Sequence, residues 1–210
     1  MYYWLGKDIV FPPHEVATEE GIIALGGDLS IERLIYAYKT GIFPWFNEGE
    51  PIVWYSPPER MVLFPEEIRI SKSMRQVLRK NDFTITENKA FNDVILSCKH
   101  IERIDQEGTW ITDDMVEAYS KLHDIGYAKS IEVWKNDVLV GGLYGLDLQN
   151  GVFCGESMFS KASNMSKVAF IYLATQKNYK LIDCQVYNNH LASLGAREID
   201  RKYFLEYLKE

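Results

Sequence analysis

Apolar positions recur at helical spacing in some stretches of this chain and at every second position in others, and the alternation sets an element order. Gly26-Gly27-Asp28-Leu29-Ser30 reads as a turn into a helix capped at Ser30, with Leu34, Ile35 and Tyr38 as its apolar stripe and Gly41 as its stop. Residues 61–64 form a short strand and residues 69–80 a helix entered at Ser71 or Ser73, after which 83–86 alternates like a strand. Residues 91–98 have helical spacing, and Thr112 caps a helix to His123 with Met115, Tyr119 and Leu122 on one face and Gly126 at its end. Strands over 128–134 and 137–148 meet at the Lys135-Asn136-Asp137 turn. A strand over 153–159, a helix over 163–177, a strand over 180–186 and a helix over 200–209 complete the order. This is a mixed α/β pattern of α+β class, with a meander at its centre.

The first sixty residues have a different texture, rich in Gly, Pro and aromatic residues. Phe11-Pro12-Pro13-His14 is extended, because residues before proline avoid the α region. Two aromatic–proline clusters, Phe43-Pro44-Trp45-Phe46 and Trp54-Tyr55-Ser56-Pro57-Pro58, follow the first helix. The expected division is therefore a small N-terminal α/β domain over residues 1–59 and a larger sheet domain over 60–210.

Composition narrows the functional classes. With 210 residues and 47% apolar content the chain can bury a substantial core. A net charge of −7 argues against a protein that coats nucleic acid indiscriminately, while leaving room for a local basic patch. Cys98, Cys154 and Cys184 are scattered and odd in number, which disfavours a disulfide framework or a structural zinc site. There is no signal-peptide pattern and no apolar run near the roughly 20 residues of a spanning helix, so a soluble cytoplasmic protein with no membrane partner is expected.

Candidate chemistry begins with two polar intrusions in apolar, strand-like runs. Glu156 lies in Phe153-Cys154-Gly155-Glu156-Ser157-Met158-Phe159-Ser160, and Asp183 in Leu181-Ile182-Asp183-Cys184-Gln185-Val186. A buried carboxylate must be partnered, protonated or employed at a site. In a strand Asp183 and Gln185 face the same way, able to act on an attacking amine or a developing oxyanion, and Cys184 faces the other. A satisfied polar pair at a strand end competes with that reading. Gly155 is expected to permit close backbone approach, with Met158 as soft apolar wall. Lys72, Arg75 and Arg79, with Lys80 beside them, share one face of the helix over 69–80, either as a solvated face or as a phosphate-binding ridge. Trp45, Trp54 and Trp110 sit in loop-like contexts, where they serve as core or as platforms for a nucleobase.

Together these segments, with Leu25 to Ser30, Gly41 to Phe46, Trp54 to Pro57, Glu107-Gly108-Thr109-Trp110-Ile111-Thr112 and Ser130-Ile131-Glu132-Val133-Trp134, resemble the leucyl/phenylalanyl-tRNA–protein transferase family along nearly the whole chain. The resemblance implies transfer of Leu or Phe from aminoacyl-tRNA to the N-terminal amine of proteins that begin with Arg or Lys, marking them for N-end-rule degradation. It implies an acetyltransferase-like (GNAT) fold for the C-terminal domain, with no metal or acetyl-CoA required; no cofactor and a monomer are expected. Carried over by position, Trp45 and Trp110 would hold the terminal adenosine. Leu143, Glu156, Met158, Phe170, Leu173 and Ile182 would line the donor side-chain pocket, and Tyr119 would position the substrates. Asp183 and Gln185 would be catalytic, and Lys72, Arg75, Arg79 and Lys80 would contact the tRNA. Leu143, Phe170 and Leu173 depart from the residues the family often carries there, which bears on Leu against Phe preference. The rival activities are an acetyl-CoA-dependent N-acetyltransferase, disfavoured by the missing pyrophosphate loop, and a non-catalytic tRNA-binding module.

Overall fold

A computed structural model of the chain describes residues 2–101 and 109–209; Glu107 and Gly108 of the fourth matched motif lie outside the described residues. The N-terminal part holds β1 (Trp4–Leu5), β2 (Ile22–Gly26), helix α1 (Ile31–Lys39), β3 (Phe43–Pro44) and β4 (Val53–Tyr55). Its sheet has the order β1-β2-β4-β3, so Pro44, which cannot donate to a ladder, sits on an edge strand. Helix α1 starts after Ser30 as its stripe requires, but Asp28 supplies the turn: its Oδ1 accepts from Ser30 N at 2.9 Å and from Arg33 Nε at 3.2 Å. Arg33, fully buried, also donates to the carbonyls of Gly6 and Asp8, tying the entering chain to the helix.

The remaining elements are β5 (Glu59–Leu63), α2 (Lys72–Lys80), β6 (Thr84–Glu87), α3 (Phe91–His100), α4 (Asp113–Asp124), β7 (Ala128–Lys135), β8 (Val138–Asp147), β9 (Val152–Ser160), α5 (Met165–Gln176), β10 (Leu181–Gln185), α6 (Asn189–Ala192), β11 (Arg197–Asp200) and α7 (Arg201–Leu208). Ser71 and Thr112 cap α2 and α4 as their sequence positions suggest, each accepting from the backbone three residues on at 3.2 Å. The second sheet has the order β11-β5-β10-β9-β8-β7-β6; within it β9 and β10 run parallel and the other neighbours antiparallel. The chain is thus of mixed α+β class.

Each face of this sheet is covered. On one, Leu34, Tyr38 and Trp54 from the N-terminal part join Val94, Met115, Tyr119, Leu146 and Phe204 in a continuous core. On the other, Met74 of α2 and the apolar α5 pack on Met61, Leu63, Leu143, Phe153 and Ile182. Among the described residues no helix is long and apolar enough to cross a membrane.

Two ladder irregularities place the polar intrusions. Gly145 pairs with Gly155 and Tyr144 with Ser157, so Glu156 is the extra residue of a bulge. The tight approach is at Gly145, where a Cβ would lie 2.2 Å from the Cys154 carbonyl oxygen; at Gly155 it would meet nothing nearer than 3.4 Å. In β10, Asp183 pairs with Val62 and Gln185 with Met61, leaving Cys184 unmatched and Gln185 at φ +65°.

Candidate active site

The site forms where the parallel pair ends. Strand β9 pairs with β10 only as far as Cys154 with Asp183, and Glu156 and Gln185 then bridge the strands as they part. Asp183 is wholly buried, as its place in an apolar strand demands. Its charge is met by Arg60, also buried, whose Nε donates to Oδ1 at 2.8 Å and Nη2 to Oδ2 at 2.6 Å. This fork-on-carboxylate geometry fixes both groups. Arg60 Nη1 donates to the Gly41 carbonyl at 3.3 Å, and its guanidinium lies between the Phe43 and Phe204 rings at 4.5 and 4.7 Å from their centroids. Burial lowers the Arg60 pKa, and the Asp183 carboxylate more than offsets it, leaving a net rise. Asp183 Oδ1 also accepts from Gln185 N at 2.8 Å, which holds Gln185 in its left-handed conformation.

Glu156 is balanced differently. Its Oε1 accepts from Tyr38 Oη and from Gln185 Nε2, both at 2.7 Å, and its Oε2 lies 3.1 Å from Tyr119 Oη. The two phenol oxygens also touch each other. Burial pushes the Glu156 carboxyl up to about 7, against the pull of the Tyr38 and Tyr119 hydrogen bonds and with help from the Asp183 charge. Burial raises both phenols well above their ordinary range. The thiols of Cys154 and Cys184 are likewise pushed up by burial, which makes neither an activated nucleophile.

The other predicted residues fall in four places. Phe170 and Leu173 of α5 are buried with Leu143 and Ile182 of the sheet in one core, with Met158 half-buried against it. Glu156 turns instead to the opposite face, toward Tyr38 and Tyr119. Trp45 is exposed beside Tyr55, with ring centroids 5.8 Å apart, and Trp110 is half-buried against the first core. Trp54, by contrast, is core, with its indole N–H on the Gly26 carbonyl at 2.9 Å. Lys72, Arg75, Arg79 and Lys80 are all exposed on α2, over the buried Met74, and Lys80 pairs with Asp82 at 2.9 Å. Among the described residues no three His, Cys, Asp or Glu side chains gather as a metal set.

Two central residues escape the sequence reading. Arg60 stands beside Glu59 just before the apolar Met61-Val62-Leu63 run of β5, at the expected domain boundary, so its sequence context does not set it apart as Asp183's does. Tyr38 is read as an apolar stripe position, and only its hydroxyl reaches the site.

Two family models match the chain. Residues 62–209 match the family model described as leucyl/phenylalanyl-tRNA protein transferase, and residues 27–58 match the model of that family's N-terminal domain. The leucyl/phenylalanyl-tRNA–protein transferase of Flavobacterium johnsoniae is 62% identical over 210 residues, covering 99% of each chain. That of Flavobacterium psychrophilum is 56% identical over 211 residues, covering 99% of this chain and all of its own. Among solved structures, a GCN5-related N-acetyltransferase from Kribbella flavida aligns over 77% of this chain and 58% of its own, at 8% identity and a TM-score of 0.40.

Proposed function

The chain belongs to the leucyl/phenylalanyl-tRNA protein transferase family, and on that premise we propose that it moves Leu or Phe from aminoacyl-tRNA to the N-terminal α-amine of proteins beginning with Arg or Lys. The product would carry an N-end-rule degradation signal, and the enzyme would act as a cytoplasmic monomer without metal or cofactor, in two units over 1–59 and 60–210.

An aminoacyl ester is already activated, so the enzyme has mainly to hold an amine against it. The observation that carries this reading is the Asp183–Gln185–Glu156 connection at the parting of β9 and β10. Gln185 is the partly exposed member and is the group that meets the amine. Asp183, engaged by Arg60, acts through the backbone of Gln185, and both are needed to set the amide in place. The amine attacks the ester carbonyl, the tRNA ribose oxygen leaves with the amine's proton, and no covalent enzyme intermediate is formed.

The donor side chain would enter beside Met158, into the apolar group of Leu143, Phe170, Leu173 and Ile182. Trp45 and Trp110 would stack on the terminal adenosine, with Tyr119 helping to position the substrates. The Lys72, Arg75, Arg79 and Lys80 face of α2 would follow the acceptor stem through its phosphates. Incubation with Leu-tRNA or Phe-tRNA and peptides starting with Arg, Lys, Asp or Ala, followed by mass analysis, tests the whole reading. Leu or Phe added only to the Arg and Lys peptides is the expected result; products on all four peptides, or none, would refute it.

A further inference from the structure

Glu156, Tyr38 and Tyr119 put three oxygens in mutual contact inside the core. Tyr38 Oη lies 2.7 Å from Glu156 Oε1, Tyr119 Oη lies 3.1 Å from Oε2, and the two phenol oxygens touch. Three contacts between oxygens need three hydrogens. An ionised Glu156 is acceptor-only, so the triangle then holds just the two phenolic hydrogens. If both go to the carboxylate, the phenol oxygens meet lone pair to lone pair; if one goes to the other phenol, a carboxylate contact is left without a hydrogen. One added proton completes the set: Oε2 donates to Tyr119, Tyr119 to Tyr38, and Tyr38 to Oε1.

The surroundings favour that proton. Tyr38 comes from α1, Tyr119 from α4, and Gln185 and Asp183 from β10. Tyr144 of β8 packs edge-on against the Tyr119 ring at 5.8 Å, and Cys154 lies on the same strand as Glu156. Arg60 of β5 places its Nε and Nη2 on Asp183, and the contacts described for Glu156 include no cation. Burial and the Asp183 charge both push the Glu156 carboxyl toward its neutral form.

We propose that Tyr38 is a positioning residue of the transfer centre: with Tyr119 and a proton held on Glu156, it closes a ring of three hydrogen bonds that fixes the Gln185 amide. Within the ring, Oε1 accepts from both Tyr38 and Gln185 Nε2. The nitrogen end of the amide is thereby committed to Glu156, and its carbonyl oxygen is the end left to accept from the substrate amine. Above the pH at which the proton leaves, the phenol oxygens must separate; the carboxylate still accepts from Gln185 Nε2, and the amide moves with it out of the position the closed ring sets. The ring stands on geometry alone, and its consequence for the amine rests on the transfer reaction proposed above.

Two measurements on the full chain test it. Difference infrared spectroscopy with carboxyl-labelled glutamate should show a protonated carboxyl band that persists at pH 6, disappears by pH 8.5 and is missing from Glu156→Gln. Its absence from the wild-type protein at pH 6 overturns the ring. In transfer assays, the kcat ratio of Glu156→Gln to wild type should rise about tenfold or more between pH 6 and 8.5, since a glutamine cannot ionise and the substrate amine's own titration cancels. Tyr38→Phe, which removes both of its hydrogen bonds in the ring, should lower kcat about tenfold or more with each KM within about twofold. A ratio that stays flat, or a Tyr38→Phe enzyme with wild-type kcat, overturns the positioning role. A wild-type chain that transfers nothing at any pH refutes the reaction instead, and the infrared result then decides the ring.

Discussion

Asp183 and Glu156 are buried carboxyls that converge on the same glutamine, yet their surroundings balance them by different means. Asp183 is met by the full positive charge of Arg60, held by two short bonds between buried partners. Glu156 is met by two phenols and an amide, all neutral. Burying a charge is tolerable only when it is paired or neutralised, and this site uses one solution at each end of Gln185. The neutral donor shell leaves the Glu156 carboxyl sensitive to pH. The backbone of Gln185 hangs on the ion-paired carboxylate and its side chain on the pH-sensitive carboxyl.

The sharpest way to break the comparison is to remove the cation. Arg60→Met leaves Asp183 buried and unpaired, and should destabilise the fold by about 3–5 kcal/mol in chemical denaturation. Combining it with Asp183→Leu should recover most of that loss, because a buried pair contributes little beyond an apolar pair of similar volume. Transfer should remain abolished in the double variant, as in Asp183→Ala, whereas tRNA binding should survive in Asp183→Ala. Recovery of transfer in the double variant would mean the pair serves packing alone.

The Glu156 end predicts a smaller effect with a pH signature. Its folded-state pKa of about 7 lies above the ordinary value of 4.5, so the folded protein keeps this proton longer than the unfolded chain. The contribution is fully present below about pH 4.5 and is lost as pH rises to about 7, a decline of roughly 3 kcal/mol. Denaturation midpoints taken between pH 5 and 8 should fall accordingly, and Glu156→Gln should flatten that limb. Asp183→Leu should shrink that limb without removing it, because the Asp183 charge adds to burial in holding the Glu156 carboxyl up. Tyr119→Phe should cost about 1–3 kcal/mol, since its hydroxyl takes part in two buried hydrogen bonds, and a change well below that would place the phenol outside the ring.

Much of this centre is legible in the chain as written, and what is not has identifiable causes. Asp183 and Glu156 announce themselves because a carboxylate interrupts an apolar strand. Arg60 interrupts nothing: it sits beside Glu59 ahead of the apolar part of β5, where a charge reads as a boundary residue. The resemblance groups Glu156 with Met158, two residues on, as walls of one pocket. The bulge inserts one residue, the parity flips, and the two side chains end on opposite faces of the sheet. Tyr38 is hidden for another reason: periodicity registers its ring in the helix stripe and says nothing of where the hydroxyl points. Alternation finds strands well and finds their faces only between bulges.

The exposed ridge on α2 offers the contrasting limit, charge in water rather than charge in the core. Arg75 and Arg79 lie on the solvent side of a helix anchored by Met74, so replacing both with alanine should change stability by less than about 0.5 kcal/mol. If the ridge follows phosphates, the same double variant should bind charged tRNA more weakly at low salt. Each lost phosphate contact removes about 0.7–0.9 from the log–log slope of affinity against salt, so the pair should flatten it by roughly 1.5. Transfer to a saturating peptide at saturating tRNA should be unaffected, since neither arginine reaches Gln185. An unaltered slope would make the ridge a solvated face, and the tRNA would then have to be held by Trp45, Trp110 and the residues around them. A lowered turnover at saturation would instead tie α2 to the chemistry, through Met74 and the core beneath Ile182.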